Sequence, residues 1–237
     1  MKDDNLKSSK GVNASPFKTL FLDFDGTIHD SIHVYYPAFL KGYQHLVDQG
    51  IAPLRTFTSE EVKTWLGYNS VEMWKNFMPE CPEAYQNQAR QIIGLEMQKQ
   101  LENGRGILYD GAEKTLEYLK KQGYTLVFLS NCGTSYMETS RRVFELDRYF
   151  SHYFCSAMFS QMPKSEILNH IKSTFESPMA MIGDRFHDIE AGRMNNMVTI
   201  GCTYGYGQAS EFSESDYTID TIEELSSLLA TIQINKG

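Results

Sequence analysis

The fold is decided by the stretch Thr19-Leu20-Phe21-Leu22-Asp23-Phe24-Asp25-Gly26-Thr27, in which an apolar run ends in two acids and a Gly-Thr turn. The run consists of strand formers, and two acids at the end of a buried strand are costly unless something pairs with them. Residues two apart in a strand point to the same side, so Asp23 and Asp25 converge if the backbone curls at Gly26. Mg²⁺ suits such a point because it binds carboxylate and carbonyl oxygens. The alternative is an ordinary strand with an acidic turn.

The composition is that of a soluble globular protein with a sizeable core, since 41% of the 237 residues are hydrophobic and 22% are charged. A net charge of -8 argues against a nucleic-acid duplex as partner. The four cysteines lack the spacing of a zinc site and are expected to be reduced thiols. The sequence contains neither a secretion signal nor a run of roughly 18 apolar residues that could cross a membrane. We therefore expect a disordered tail over residues 1–15, followed by a cytoplasmic, enzyme-like body that does not enter a membrane.

Residues 32–104 are predicted to form an all-helical domain inserted into the fold. The segment Thr58-Ser59-Glu60-Glu61 resembles a capping box, Asn69-Ser70-Val71-Glu72 resembles a second one, and Pro82 is a favourable start for a longer helix. Large apolar residues at helical spacing most simply form the insert's own small core. They are Trp65, Met73, Trp74, Phe77 and Met78.

The remainder, residues 16–31 and 105–237, is predicted to form a catalytic core in which strands alternate with helices. The later strands are predicted at residues 125–129, 153–154, 179–182, 198–202 and 217–219. Such alternation indicates an α/β fold, here a Rossmann-like, mainly parallel sheet with helices on both faces. Ligands of these sheets bind outside the carboxyl ends of the strands.

Polar residues follow two of these later strands. Ser130 and Asn131 offer a hydroxyl, an amide and backbone N–H groups that can hold phosphate oxygens, although a plain strand-ending turn is the alternative. Asp184 and Asp188 are four residues apart, so in a helix they share a face and repel each other unless a cation lies nearby. The alternative is a helix-capping Asp184 with a solvated Asp188.

Lys164 lies in the first turn of a predicted helix, where a cation opposes the helix dipole. An acidic neighbour or a bound anion would compensate for this position. A solvated lysine is the alternative.

In order and spacing, these segments resemble the four motifs of the haloacid dehalogenase superfamily. The first is Asp23-Phe24-Asp25-Gly26-Thr27, the second Ser130-Asn131, the third Lys164, and the fourth Gly183-Asp184-Arg185-Phe186-His187-Asp188. The insert after motif one resembles the cap of the phosphoglycolate-phosphatase-like branch, and residues 199–207 are also similar to that branch.

The resemblance implies a magnesium-dependent phosphatase, a hydrolase that cleaves a phosphomonoester of a small metabolite through an aspartyl-phosphate. Asp23 would attack phosphorus, and Asp25 would first protonate the leaving alcohol and then activate water. Mg²⁺ would be held by Asp23, the backbone carbonyl of Asp25 and Asp184, with Asp188 behind them or acting through water. Lys164 would stabilise the phosphoryl oxygens. Phosphate would be bound by Ser130, Asn131, Gly26 and Thr27.

Several residues differ from those of other enzyme classes in the superfamily, and these differences argue against the reactions of those classes. The dehalogenases lack the second acid, which this chain has as Asp25, and the phosphonatase lysine is missing after Gly67. Sugar-phosphate mutases place a histidine where this chain has Tyr35, so a mutase is a disfavoured alternative. A second alternative is a non-catalytic member that binds a phosphorylated ligand or a protein.

The insert is expected to select the substrate through Tyr68 and Asn69 and to move on hinges at residues 32–34 and 103–106. His29 and His33 are interpreted as hinge or cap-face residues, not as ligands. Phosphoglycolate, nucleotides, sugar phosphates and pyrophosphate all remain open as substrates, as does the oligomeric state.

Overall fold

The computed structural model describes residues 17–232, so the disordered tail expected at residues 1–15 lies outside the described residues. The strands are β1 (Thr19–Leu22), β2 (Thr125–Ser130), β3 (His152–Cys155), β4 (Met179–Gly183), β5 (Val198–Cys202) and β6 (Tyr217–Ile219). The helices are α1 (Ile32–Asp48), α2 (Ser59–Lys63), α3 (Ser70–Phe77), α4 (Glu83–Glu102), α5 (Ala112–Lys121), α6 (Thr134–Val143), α7 (Lys164–Ile171), α8 (Phe186–Met194) and α9 (Glu224–Thr231).

The six strands form one parallel sheet in the order β3-β2-β1-β4-β5-β6, which confirms the predicted α/β class. The first strand lies at the centre, with Leu22 beside Phe128 of β2 and Ile182 of β4. In this register, the residues that follow β1, β2 and β4 emerge at the same edge of the sheet. The three polar segments predicted at strand ends are therefore neighbours.

Successive residues of a strand point to opposite faces of the sheet, and here the residues on both faces are apolar. Helices therefore cover both faces. On one face, Leu20 and Phe128 belong to a buried cluster that includes residues of α5, α6 and α9. On the other face, Phe21 and Val127 pack with Ile167 of α7. Burying a side chain of this size contributes about 1.5–3 kcal/mol, so the two clusters fix the orientation of the sheet residues.

Residues 32–104 form the helices α1 to α4 and contain no strand. The capping box is present, because Thr58 Oγ1 accepts from the Glu61 amide and the Glu61 carboxylate accepts from the Thr58 amide. Asn69 caps α3, and Pro82 immediately precedes α4. The predicted apolar core of the insert is present as a separate cluster, which includes buried Met73 and Trp74 and the partly buried Trp65, Phe77 and Met78.

Helix starts differ from the apolar patterns by several residues. Helix α6 begins at Thr134, before its buried Met137, and α8 begins at Phe186, before its buried Ile189. Both first turns carry polar residues and make contacts at the edge of the sheet, whereas apolar periodicity marks only the buried face of a helix.

The chain leaves the core for the insert and returns to it at adjacent positions. The amide of Asp30 donates to the carbonyl of Ile107 over 2.8 Å, and the amide of Tyr109 donates to the carbonyl of Ile28 over 3.0 Å. The outgoing and returning segments therefore run side by side at the edge where the strands end. Across residues 17–232, no helix combines the length and apolar character needed to cross a bilayer.

Candidate active site

Three buried carboxylates meet beyond the ends of β1 and β4. Asp23 follows β1, Asp184 follows β4, and Asp188 lies in the first turn of α8. Each offers a carboxylate oxygen within 4.8 Å of the others, and their exposed fractions are 2%, 0% and 0%. The parallel register and the turn after Gly183 thus bring together residues that are more than 150 positions apart in the sequence.

Lys164 supplies a positive charge to this cluster. Its Nζ atom lies 3.1 Å from Oδ2 of Asp23 and 2.5 Å from Oδ1 of Asp188. Burial by itself lowers the pKa of Lys164, but the charges of Asp188 and Asp23 outweigh burial and raise that pKa. The acidic neighbours required by a lysine at this helix start are therefore present, and Lys164 is charged.

One lysine does not neutralise three buried acids. Burial, opposed by Lys164, raises the pKa of Asp23 to about 7, and burial together with Asp23 raises the pKa of Asp184 well above its ordinary value. Such shifts mean that the site holds more negative charge than the protein itself compensates. A cluster of carboxylate oxygens with excess charge fits a hard divalent cation, which would favour the ionised form of these acids.

Gly26 and Thr27, which were predicted to bind phosphate, contact Asp184 in the structure. Gly26 has a φ of +87°, and a Cβ atom added there would lie 2.1 Å from Oδ2 of Asp184. Thr27 donates from Oγ1 to Oδ1 of Asp184 over 3.2 Å, and the amide of Tyr206 donates to Oδ2 over 2.7 Å. The Gly-Thr turn thus shapes the wall of the acidic cluster and fixes the direction of Asp184.

Asp25 faces a different environment from Asp23. Its Oδ1 atom accepts a hydrogen bond from the hydroxyl of Tyr136 over 2.7 Å and lies 3.3 Å from Nδ1 of His29. The same Nδ1 atom is 3.0 Å from the Tyr136 hydroxyl oxygen, so a proton on Nδ1 satisfies all three groups. The two acids of motif one therefore have different surroundings. Asp23 lies in the charged cluster, whereas Asp25 contacts the hydroxyl of Tyr136 and the imidazole of His29.

The two histidines expected near the hinge occupy different positions. His29 lies where the chain crosses into the insert, but it is fully buried and faces Asp25. His33 is half exposed and contacts Asp30. Neither belongs to the acidic cluster. The contact between His29 and Asp25 was missed, as was Tyr136, because the i, i+4 spacing of the first pair is common and Tyr136 is 111 residues from Asp25.

Ser130 and Asn131, which form the second predicted motif, have different contacts. Ser130 ends β2 and, together with Asp23 and Asp25, lines a cavity at the edge of the sheet. Asn131 also lines this cavity, but its amide nitrogen donates to the carbonyl of Gly67 in the insert over 2.8 Å. Asn131 therefore links the core to the insert.

The loop between α2 and α3 lies on the fourth motif. Arg185 donates from Nη1 to the carbonyl of Leu66 and from Nε to Glu211 over 3.0 Å. The ring of Tyr68 packs against the ring of His187 with centroids 4.9 Å apart. Sequence reasoning missed Arg185 as an insert contact, although its place inside motif four was visible.

A contact between His187 and Glu72 also joins core and insert, with Nε2 and Oε2 3.6 Å apart. Burial, reinforced by the charges of Lys164 and Arg185, lowers the pKa of His187 to about 3. The imidazole is therefore neutral at physiological pH, and this contact is a polar approach, not an ion pair.

The two residues expected to select the substrate have different positions. Tyr68 lines the cavity. Asn69 is 2% exposed, and its Oδ1 atom accepts from the amides of Val71 and Glu72 at the start of α3. Tyr68 therefore faces the cavity, whereas Asn69 positions the adjacent helix.

The cavity has a volume of about 590 Å³ and lies between the core and the insert. Asp23, Asp25, Ser130 and Asn131 line its core side, and residues of the 65–70 loop, α3 and α4 line its insert side. A molecule bound beside Asp23 and Asp25 in this cavity would therefore also contact the insert.

Comparisons with known proteins agree with this architecture. Residues 20–202 match the family described as Haloacid dehalogenase-like hydrolase. The chain is 25% identical over 221 residues to a phosphoglycolate phosphatase of Nitrosococcus oceani, covering 89% of this chain and 96% of that protein. It is also 25% identical over 223 residues to the pyrophosphatase PpaX of Listeria monocytogenes, covering 91% and 96%.

Solved structures share the fold. The crystal structure of a predicted phosphatase from Clostridium acetobutylicum superposes with a TM-score of 0.80 at 21% identity, covering 92% of this chain and all of that one. At this identity the likeness concerns the fold.

Proposed function

This chain belongs to the haloacid dehalogenase-like hydrolase family, and we propose that it is a phosphatase in which Asp23 attacks the phosphorus of a small-molecule phosphomonoester. The observation that carries the proposal is the separation of Asp23 and Asp25 into unlike environments two residues apart. Carboxylates whose surroundings differ in this way commonly divide the roles of nucleophile and acid or base. Relatives named phosphoglycolate phosphatase and pyrophosphatase support phosphoryl chemistry.

In the first step, a carboxylate oxygen of Asp23 forms a bond to phosphorus while the bond between phosphorus and the ester oxygen breaks. Asp23 is held for this by the Phe24 amide, which donates to Oδ1 over 2.7 Å, and by Lys164 at Oδ2. Asp25 gives its proton to the departing alkoxide, which leaves as an alcohol. The product of this step is an aspartyl-phosphate on Asp23.

In the second step, Asp25 accepts a proton from water as the water oxygen attacks phosphorus. The bond between phosphorus and Asp23 breaks, inorganic phosphate leaves, and both acids return to their starting protonation states. Tyr136 and His29 keep the Asp25 carboxylate oriented through both transfers. Ser130 and the charge of Lys164 stabilise the phosphoryl oxygens.

Mg²⁺ is the cofactor we propose, and Asp23, Asp184 and the backbone carbonyl of Asp25 would hold it, with Asp188 beside them. When bound, the ion supplies positive charge that offsets repulsion between the acids and the phosphate. The excess negative charge of the buried cluster and its carboxylate oxygen donors support this assignment.

The mutase alternative loses support at position 35. Tyr35 lines the cavity, and burial raises its pKa, so its phenol stays protonated near neutral pH and offers no base. We therefore retain hydrolysis as the single proposed reaction.

The test is hydrolysis of p-nitrophenyl phosphate by the full chain in Mg²⁺ and in excess EDTA. We expect turnover in Mg²⁺ that EDTA abolishes and renewed Mg²⁺ restores. Full activity in EDTA would refute the metal assignment. Absence of hydrolysis with every phosphate ester, alongside retained phosphate binding, would instead identify a non-catalytic member.

A further inference from the structure

The cavity beside the acids is much larger than a phosphate with a two-carbon leaving group requires. Its volume of about 590 Å³ falls within the range of roughly 300–1,000 Å³ typical of sites for drug-sized ligands. A ligand must fill most of such a space to bind well, since an unfilled apolar wall loses its contacts. The size therefore points to a bulky leaving group.

The insert side of the cavity is aromatic. It includes Trp65 and Trp74, which are the only tryptophans in the sequence, together with Tyr68. Trp65 and Tyr68 are partly exposed. Trp74 is fully buried, and within residues 17–232 its indole nitrogen finds no hydrogen-bond partner. Aromatic side chains favour offset or edge contacts with other planar rings, and an unpaired indole N–H requires an acceptor.

Helix α4 adds a glycine to the same cavity. Gly94 lies inside this 20-residue helix, where glycine is unfavourable relative to alanine. A Cβ atom added at Gly94 would meet nothing within 4 Å, so packing within the protein does not require glycine there. The missing side chain leaves space in the cavity wall.

Arg90 lies one turn before Gly94 and also lines the cavity. The contacts of residues 17–232 include no ion pair for its guanidinium group, and no other Arg or Lys of the described chain lines this cavity. Residues four apart on a helix share a face, so the cation and the open position at Gly94 are neighbours. An arginine in this setting suits a carbonyl or anionic group on the ligand.

We propose that the substrates are phosphomonoesters whose leaving group carries a planar, acceptor-bearing ring. This inference rests on the proposed phosphatase function. The phosphate lies at Asp23, the ring occupies the aromatic part of the cavity, and a polar substituent of the ring contacts Arg90. Ribonucleoside 5′-monophosphates contain all three parts, whereas phosphoglycolate and pyrophosphate contain no ring.

The first test compares pairs of esters in which only one member carries a planar ring. Ribose 5-phosphate and the four ribonucleoside 5′-monophosphates share the same leaving oxygen. We expect kcat/KM for at least one nucleotide to exceed that of ribose 5-phosphate by tenfold or more. Benzyl phosphate should likewise exceed cyclohexylmethyl phosphate, which has a similar size but no planar ring.

Two variants of α4 locate the effect. Gly94→Phe should lower the ratio of nucleotide to ribose 5-phosphate kcat/KM at least tenfold, because the new ring fills the space. Lys99→Phe adds the same group at an exposed position of the same helix outside the cavity and should leave the ratio unchanged. If circular dichroism shows that Gly94→Phe does not fold, the smaller Gly94→Leu substitution replaces it.

A binding measurement separates this inference from the hydrolysis proposal. Because both tryptophans line the cavity, their fluorescence in Asp23→Asn with Mg²⁺ should change saturably with a nucleotide and not with ribose 5-phosphate. Ring-dependent binding without any turnover in the wild type would overturn the hydrolysis proposal and support the ring site. If the kcat/KM of ribose 5-phosphate or phosphoglycolate equals that of every ester with a planar ring, the ring inference alone is overturned. Equal rates for benzyl and cyclohexylmethyl phosphate would also overturn it.

Discussion

The side-chain amide of Asn131 donates a hydrogen bond to the backbone carbonyl of Gly67 over 2.8 Å. Asn131 follows directly after β2, and Gly67 lies in the insert loop that carries Tyr68, so this bond joins the core to the insert. The bond thereby fixes the position of this loop relative to the core, on the insert side of the cavity that Asp23 and Asp25 also line.

Asn131→Ala should loosen this loop. A hydrogen bond of this kind contributes about 1 kcal/mol net, so we expect kcat/KM to fall about fivefold or more. Hydrogen exchange of the amides at residues 67–70 should become faster, which is the measurement that isolates the loop. Asn76→Ala, at an exposed position of α3, is the matched control and should change neither quantity. Unchanged exchange in Asn131→Ala would show that the bond does not hold the insert.

The two acids of motif one should fail in different ways. Asp23→Asn should form neither a phosphoenzyme nor product. Asp25→Ala should release about one equivalent of p-nitrophenolate and then nearly stop, because this leaving group needs little protonation while water attack lacks its base. The steady rate should fall roughly 10²–10⁴-fold. Mass spectrometry of the acid-quenched variant should find phosphate on Asp23; phosphate on a histidine would contradict the assignment.

Gly26→Ala should damage the site beyond its effect on the backbone. Gly123 has nearly the same φ, +88° against +87°, but a Cβ there meets nothing within 4 Å. Both substitutions strain a left-handed residue and should cost about 1 kcal/mol or more of unfolding free energy. Gly26→Ala should additionally reduce activity at least 100-fold, because its Cβ displaces the Asp184 carboxylate. Similar activities for the two variants would exclude this role.

Stability of the metal-free protein should fall as pH rises through the site's titration. The pKa of Asp23 is raised from an ordinary value of 3.8 to about 7, so the folded protein binds the extra proton between these values. The unfolded chain gives up this proton near pH 4 whereas the folded protein keeps it until about pH 7, so the free energy of unfolding falls between these pH values and levels off above them. Mg²⁺ binds the ionised acids and should therefore raise Tm more at pH 8 than at pH 5.5.

The control for this pH effect is Asp23→Asn, in which the contribution of that carboxyl is absent. Its metal-free Tm should depend less steeply on pH than that of the wild type. Equal Mg²⁺-induced shifts in Tm at the two pH values would contradict the assignment of the cluster as a metal site.

Tyr68→Ala should change relative rates among substrates more than it changes the dephosphorylation step they share. The reason is that Tyr68 lines the insert side of the cavity, whereas the acids proposed to carry the reaction line its core side. Single-turnover decay of the phosphoenzyme separates the two effects. Tyr118→Ala, at an exposed position of α5, serves as the control. A uniform slowing of every substrate by Tyr68→Ala would assign that ring a structural role.

The order of strands and helices was predictable because each buried strand is a short apolar run ending in polar residues. That order, with the carboxyl-end rule for parallel sheets, was enough to bring Asp23, Ser130 and Asp184 to one edge. Lys164 starts a helix, so its place beside the acids followed from the motif resemblance and not from this rule. The partners of Asp25 were not predictable, since the contact with Tyr136 depends on how α6 packs on the sheet. Asn69 satisfied both a capping and a substrate-contact reading, and only the structure shows which atoms its side chain reaches.

The paired crossings at residues 28–30 and 107–109 have an evolutionary consequence. Because the outgoing and returning segments bond to each other, the ends of the insert are already close, and a replacement of different length adds little closure entropy. We therefore expect that a foreign helical segment could be grafted between these points without disturbing the sheet. A related protein could then come to act on a different molecule when one continuous stretch of the gene, the one that encodes the insert, is exchanged. The core residues, and with them the type of reaction, would stay the same.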